Sequence, residues 1–314
     1  MRPETLNQRF RANGKLYISG EYTVLDGGLS FAIPTKLGQT LEIDYLEESQ
    51  NPVLVWKAFL EDRSLWFSAE FDLRHLSLLK STDAKLASRL LEIFKAVQQL
   101  NPGFFENQTR NICCKTRLEF PKDWGLGSSS TLIYLLAQFT DTDAFELNKL
   151  TFNTSGYDIA CAGIDHPILY QIRDGKRKIE PVEFHPDFMD KLYFIYLNQK
   201  QDTQKSVSHQ YRSKPKNGEL VEEISILTQK IVSSKTLEKF ESFIDLHEDL
   251  LSAHMEVPKV KDIYFSDYPG SIKSLGAWGG DFILATARKG FEEYFRSKGY
   301  NTIYPFSEMM NKFS

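Results

Sequence analysis

Between a strand-like run, Asn111 to Phe120, and a breaker-free apolar run, Ser129 to Phe139, the chain carries Gly125-Leu126-Gly127-Ser128-Ser129-Ser130. This junction constrains the fold more than any other feature. Glycines admit φ > 0 and let a backbone approach a ligand closely. A helix opening directly behind them presents unpaired N–H groups and the positive end of its dipole. Together these make an anion site, and the serine hydroxyls add donors for phosphate oxygens or a ligand for Mg²⁺. The loop has neither the Gly-Lys-Ser/Thr ending of a Walker A loop nor the spacing of a dinucleotide fingerprint. Taken alone it is equally a Gly/Ser turn with an ordinary serine cap. Other segments decide between the two.

Periodicity supplies the frame. Lys15 to Leu25 reads as a strand ended by Asp26-Gly27-Gly28; Gln39 to Tyr45, Val53 to Trp56 and Leu65 to Phe71 read as further strands in antiparallel hairpins. From Asp83 to Leu100 the period becomes helical, with Leu86, Leu90, Ile93, Phe94 and Val97 on one face and Asn101-Pro102-Gly103 as the stop. Further on come a strand, Leu192 to Asn198, and two amphipathic helices, Leu220 to Lys230 and Thr236 to Ser252. Ser271 to Leu275, Phe282 to Ala287 and Phe291 to Lys298 then read as strand, strand and helix around the glycine turn Gly276 to Gly280. Strands and helices mix without strict βα alternation, which gives an α+β fold.

Composition sets limits. In 314 residues, 41% hydrophobic content suffices for a sizeable core, and a net charge of -4 offers no global field for nucleic acid or an anionic membrane. The opening residues are polar, no apolar run is long enough for a bilayer, and Cys113, Cys114 and Cys161 form neither a disulfide framework nor a zinc spacing. A cytoplasmic location is the expectation. His247 and His254 stand seven apart, too far for one metal ion, and read as polar or half-buried helix residues.

Four segments in order carry a family resemblance: Gly14-Lys15-Leu16-Tyr17-Ile18-Ser19-Gly20-Glu21-Tyr22-Thr23-Val24-Leu25, the loop Trp124 to Thr131, Ser155-Gly156-Tyr157-Asp158-Ile159-Ala160, and Gly276-Ala277-Trp278-Gly279-Gly280-Asp281. They span nearly the whole chain, which resembles the GHMP kinases, closest to the mevalonate and phosphomevalonate kinase branch. The resemblance implies a two-lobed fold, with a lobe like ribosomal protein S5 domain 2 over residues 1–165 and a ferredoxin-like lobe over 166–314. It also implies ATP and Mg²⁺ as cofactors and a small-molecule substrate that offers a hydroxyl or phosphate.

Residue roles follow from the same resemblance. Asp158 is the general base and Lys15 its cationic partner. Gly125, Leu126, Gly127, Ser128, Ser129 and Ser130 hold the nucleotide phosphates. Glu21 and Tyr22 contact the acceptor or orient the lysine, with Gly279, Gly280 and Asp281 on the same side. Lys200 and Lys205 are candidates for binding a phosphorylated acid. Ser129 ligates Mg²⁺; the family's metal-binding glutamate has one counterpart in the short stretch Asp141 to Thr154, namely Glu146, equally readable as an exposed helix residue. Trp278 stands where the family usually has glycine and is expected to narrow the site or stack on a ligand. Acceptors other than mevalonate or phosphomevalonate, such as a sugar or an amino-acid hydroxyl, stay open, as does a silent ligand-binding regulator.

Overall fold

The computed structural model describes residues 7–199, 211–276 and 278–310. The chain forms two compact units that alternate along the sequence. Of the described residues, 7–14, 37–122 and 127–163 belong to the first; 15–36, 123–126, 164–199, 211–276 and 278–310 belong to the second.

The first unit is built on a mixed sheet. Strand β1 (Asn7–Ser19) precedes β2 (Ser30–Glu48), and β2 from residue 37 onward lies in the order β5-β4-β3-β6-β2 with β3 (Val53–Phe59), β4 (Leu65–Asp72), β5 (Ser77–Ser81) and β6 (Arg110–Leu118). Alternation along β3 turns Leu54, Trp56 and Ala58 into the core. The expected hairpins are present as β3–β4 and β4–β5, but β3 and β6 pair in parallel. A parallel pair needs a crossover, and the chain makes it through α1 (Ala84–Leu100) and the short α2 (Pro102–Glu106). Asp83 caps α1 by accepting from the amides of Lys85 and Leu86. Leu90, Ile93, Phe94 and Val97 are its buried face, and the Phe94 ring meets Trp56, Phe71 and Phe105. Asn101 does end α1, but Pro102 then opens α2 at a first-turn position where its missing N–H costs nothing. Helices α3 (Ser128–Thr140), α4 (Ala144–Thr151) and α5 (Tyr157–Ala162) complete the unit.

In the second unit the first residues of β2 pair with β7 (Ile168–Arg173), which forms a hairpin with β8 (Lys176–Pro181). A separate antiparallel sheet has the order β10-β11-β9-β12, from β9 (Leu192–Tyr196), β10 (Ile272–Leu275), β11 (Phe282–Thr286) and β12 (Ile303–Pro305). Helices α6 (Gly218–Val232) and α7 (Leu237–Met255) accompany it. The architecture is α+β, as expected.

One boundary differs from the sequence reading. The strand expected over Lys15 to Leu25 ends at Ser19, and Thr23–Asp26 is a short 3-10 helix. Gly20 is the reason. Its φ is 88° and a Cβ there would sit 2.5 Å from Leu29 O, so the extended path must turn. Among the described residues, no helix is long and apolar enough to cross a membrane.

Candidate active site

Three of the sequence motifs meet in the second unit. The Lys15 backbone N–H donates to Leu126 O at 3.1 Å, and Lys15 Nζ donates to Gly125 O at 3.2 Å. On the other side of the same glycine lies Asp281. A Cβ on Gly125 would stand 2.2 Å from Asp281 Oδ2, and Gly125 has φ 66°. Glycine is thus required here twice over, by conformation and by the carboxylate packed against it.

In the first unit, Gly127 (φ 86°) is the N-cap of α3, and no side chain caps that helix. The contrast within the molecule is informative. Of the other described helices with eight or more residues, α1, α4, α6 and α7 are capped by Asp83, Asp143, Asn217 and Thr236 respectively, whereas short helices such as α2 and α5 are not. Thr131 returns to the loop, its amide donating to Gly127 O and its hydroxyl to Gln39 Oε1 and Ser128 O. Ser128 and Ser130 are half-buried and Ser129 is exposed at this end of α3. A 13-residue helix whose first turn has no capping side chain suits an anion.

The first and last motifs are cross-linked within the second unit. The Trp278 amide donates to Tyr22 Oη at 2.8 Å. Tyr22 adopts φ 64°, is buried, and stacks on Tyr211 with ring centroids 5.6 Å apart; Tyr211 Oη donates to Asp26 Oδ2. Gln199 links strand β9 to the glycine turn, with Nε2 donating to Gly279 O and its carbonyl accepting from the Asp281 amide. Asp281 has φ 55°, and its carbonyl accepts from Leu197 N–H.

Glu21 is buried rather than open to a ligand. Lys273 Nζ lies 2.7 Å from Glu21 Oε1 and 3.4 Å from Glu248 Oε1, and also donates to Ser274 O. Beside them, His247 Nε2 accepts the Gly20 amide at 3.1 Å. Nε2 therefore carries no proton, and its 3.3 Å approach to Glu21 Oε2 is not an ion pair. Burial, reinforced by the Lys273 charge, pushes the His247 pKa well below its usual value, which agrees with a neutral ring. Burial raises Glu21 against the pull of Lys273, and raises Glu248 to about 7. His247, expected as an ordinary polar or half-buried helix residue, is fully buried in this cluster. The sequence reading passed over Lys273 and Glu248 as functional residues. The available signal was a lysine inside the apolar strand Ile272–Leu275, which has to find a buried counter-charge.

The remaining candidates are placed as follows. Asp158 is in the first turn of α5, half-buried, behind Gly156 at φ 88°. Glu146 lies on α4 and pairs with Lys149 at 3.4 Å. Trp278 is buried. Its ring is buried with Tyr22, Leu251 and Met255, and Nε1 donates to Pro258 O, so it is core of the second unit. Lys200 and Lys205 lie outside the described residues.

With this geometry the chain can be compared with known proteins. No family model matches the sequence, and no curated protein matches it. Solved structures do match. A mevalonate kinase superposes with TM-score 0.67 at 18% identity, covering 97% of this chain and 100% of that one. The Streptococcus pneumoniae phosphomevalonate kinase, in complex with phosphomevalonate and AMPPNP, gives 0.68 at 17% identity, covering 94% and 99%. The Lactococcus lactis galactokinase complexed with galactose gives 0.63 at 15% identity, covering 98% and 93%. All three are GHMP kinases, and the chain has the GHMP kinase fold.

Proposed function

We propose that this chain transfers the γ-phosphate of ATP to a small-molecule acceptor, with mevalonate or phosphomevalonate the first candidates. The observation that carries the reading is the meeting of Lys15, Gly125 and Asp281 in one unit. Residues far apart in sequence converge there on the glycine that opens a phosphate-type loop. The solved neighbours sharing the fold include kinases for mevalonate, phosphomevalonate and galactose, so the fold itself is compatible with several acceptors.

Phosphoryl transfer asks mainly for positioning and charge neutralisation. In this reading the backbone N–H groups of Gly125 to Ser130 hold the phosphates at the start of α3, and Lys15 stabilises charge on the attacking oxygen. Where the acceptor is a hydroxyl, Asp158 accepts its proton as the new O–P bond forms and ADP departs; where it is a phosphate, the attacking oxygen is already anionic. Tyr22, Gly279, Gly280 and Asp281 form the acceptor side. The donor set suits a magnesium ion that arrives on the nucleotide. Ser129 is exposed at the loop, Glu146 on α4 is the candidate carboxylate, and no group of three metal-binding side chains occurs among the described residues. When bound, the ion would neutralise phosphate charge.

The test is turnover. Purified protein with ATP and Mg²⁺ should form ADP in the presence of mevalonate or phosphomevalonate, with galactose and homoserine as comparison acceptors. Tight ATP binding without acceptor-dependent ADP from any of them would replace this reading with that of a ligand-binding regulator.

A further inference from the structure

We infer that Lys273 is a positioning residue for the acceptor side of the proposed site, acting through Glu21; the kinetic part of this inference rests on the phosphotransfer reading. Lys273 is fully buried on β10. A buried ammonium is tolerated only when paired, and here the pairing has a direction. Glu248, on α7, accepts from the Ser274 amide at 3.2 Å and from Ser274 Oγ at 3.0 Å, so β10 itself fixes that carboxylate. Glu248 and Ser274 O hold Lys273 from one side, and Lys273 then holds Glu21 at 2.7 Å on the other. The backbone amide of Gly276 also favours the charged form of Glu21.

The turn Gly20–Tyr22 is the segment these contacts secure. It has three tethers from three places: His247 on α7 takes the Gly20 amide, Lys273 on β10 takes the Glu21 carboxylate, and the Trp278 amide takes Tyr22 Oη. The turn needs them. Gly20 has φ 88° and Tyr22 has φ 64°, and a non-glycine residue stays in that region only when its surroundings over-determine it. Two of the three tethers connect to the glycine turn: Trp278 lies within it, and Lys273 stands on β10, the strand that leads into it. The Lys273–Glu21 pair therefore acts with the Trp278–Tyr22 hydrogen bond to set the register between the Tyr22 turn and the glycine turn, whose last residue packs on Gly125. Glu21 is a strut in this arrangement, and it secures the turn whose Tyr22 side chain is buried against Tyr211 and bonded by the Trp278 amide.

Removing Lys273 alone leaves Glu21 buried without a counter-ion and can prevent folding. The informative variant is Glu21→Gln with Lys273→Met, which removes the Glu21–Lys273 pair at nearly constant shape and leaves Glu248 with its Ser274 hydrogen bonds and free to take up a proton. Hydrogen exchange at the Gly20 and Trp278 amides should become at least tenfold faster, while the amide of Phe94 in the first unit is unchanged. The acceptor KM should rise tenfold or more, with nucleotide Kd altered less than threefold, since the loop contacts do not involve Lys273. Wild-type exchange at both amides in the folded double variant, or faster exchange with an unchanged acceptor KM, would overturn the inference. If the wild-type protein shows no turnover, the phosphotransfer reading fails separately, and exchange alone decides whether Lys273 holds the turn.

Discussion

Gly125 is where a single methyl group should be felt most. Gly125→Ala forces a Cβ to 2.2 Å from Asp281 Oδ2 at φ 66°, so either the carboxylate or the loop must move. The left-handed conformation alone costs about 1–2 kcal/mol with a side chain. Nucleotide binding should weaken at least tenfold by titration calorimetry, with a fold that remains intact by circular dichroism. Asp158→Asn tests a different step. Loss of a general base lowers kcat by roughly 10²–10⁴ while nucleotide affinity stays within a few-fold, and wild-type turnover in that variant would remove Asp158 from the mechanism. Ser129→Ala should raise the Mg²⁺ concentration needed for half-maximal rate; an unchanged requirement would mean the ion is held elsewhere.

Among the elements, β10 and α7 carry the strongest pH dependence. Glu248 is raised from 4.5 to about 7, chiefly by burial, with the nearby Glu21 adding to the rise and Lys273 opposing it. Between these values the unfolded chain releases a proton that the folded chain keeps. Stability from this group is therefore full below pH 4.5 and is lost as pH rises to about 7, by up to about 3 kcal/mol. His247 acts oppositely. Its folded pKa lies well below 6.5, so its contribution is present above that pH and is lost as the solution is acidified. Glu248→Gln should flatten the decline between pH 4.5 and 7 in urea unfolding, leaving a smaller slope from Glu21, which is shifted in the same direction. An unaltered profile would show that Glu248 titrates normally. The elements themselves were largely legible. Helix α1 follows from the spacing of Leu90, Ile93, Phe94 and Val97. The 3-10 turn at Thr23–Asp26 was not, because Val24 and Leu25 continue an apolar run and only the crowding around Gly20 shows that the chain cannot stay extended.

For the whole molecule, a ligand that binds only the folded state stabilises it by mass action. At ATP near 100 times its Kd the gain is about 2.7 kcal/mol, and the melting temperature of a chain this size should rise by several degrees. No shift with saturating ATP and Mg²⁺ would count against the nucleotide loop. Sequence alone determined the α+β class and marked the glycine–serine run Gly125 to Ser130 ahead of a helix, because glycine placement and apolar period are local properties of a chain; the roles proposed for Lys15 and Asp158 rest on the family resemblance. It did not reveal that Asp281 packs on Gly125, that Trp278 is core rather than a ligand platform, or that Glu21 is buried against Lys273. Those facts depend on which side chains meet after folding. A carboxylate 252 residues from its lysine has no local signature, and only burial forces the two together.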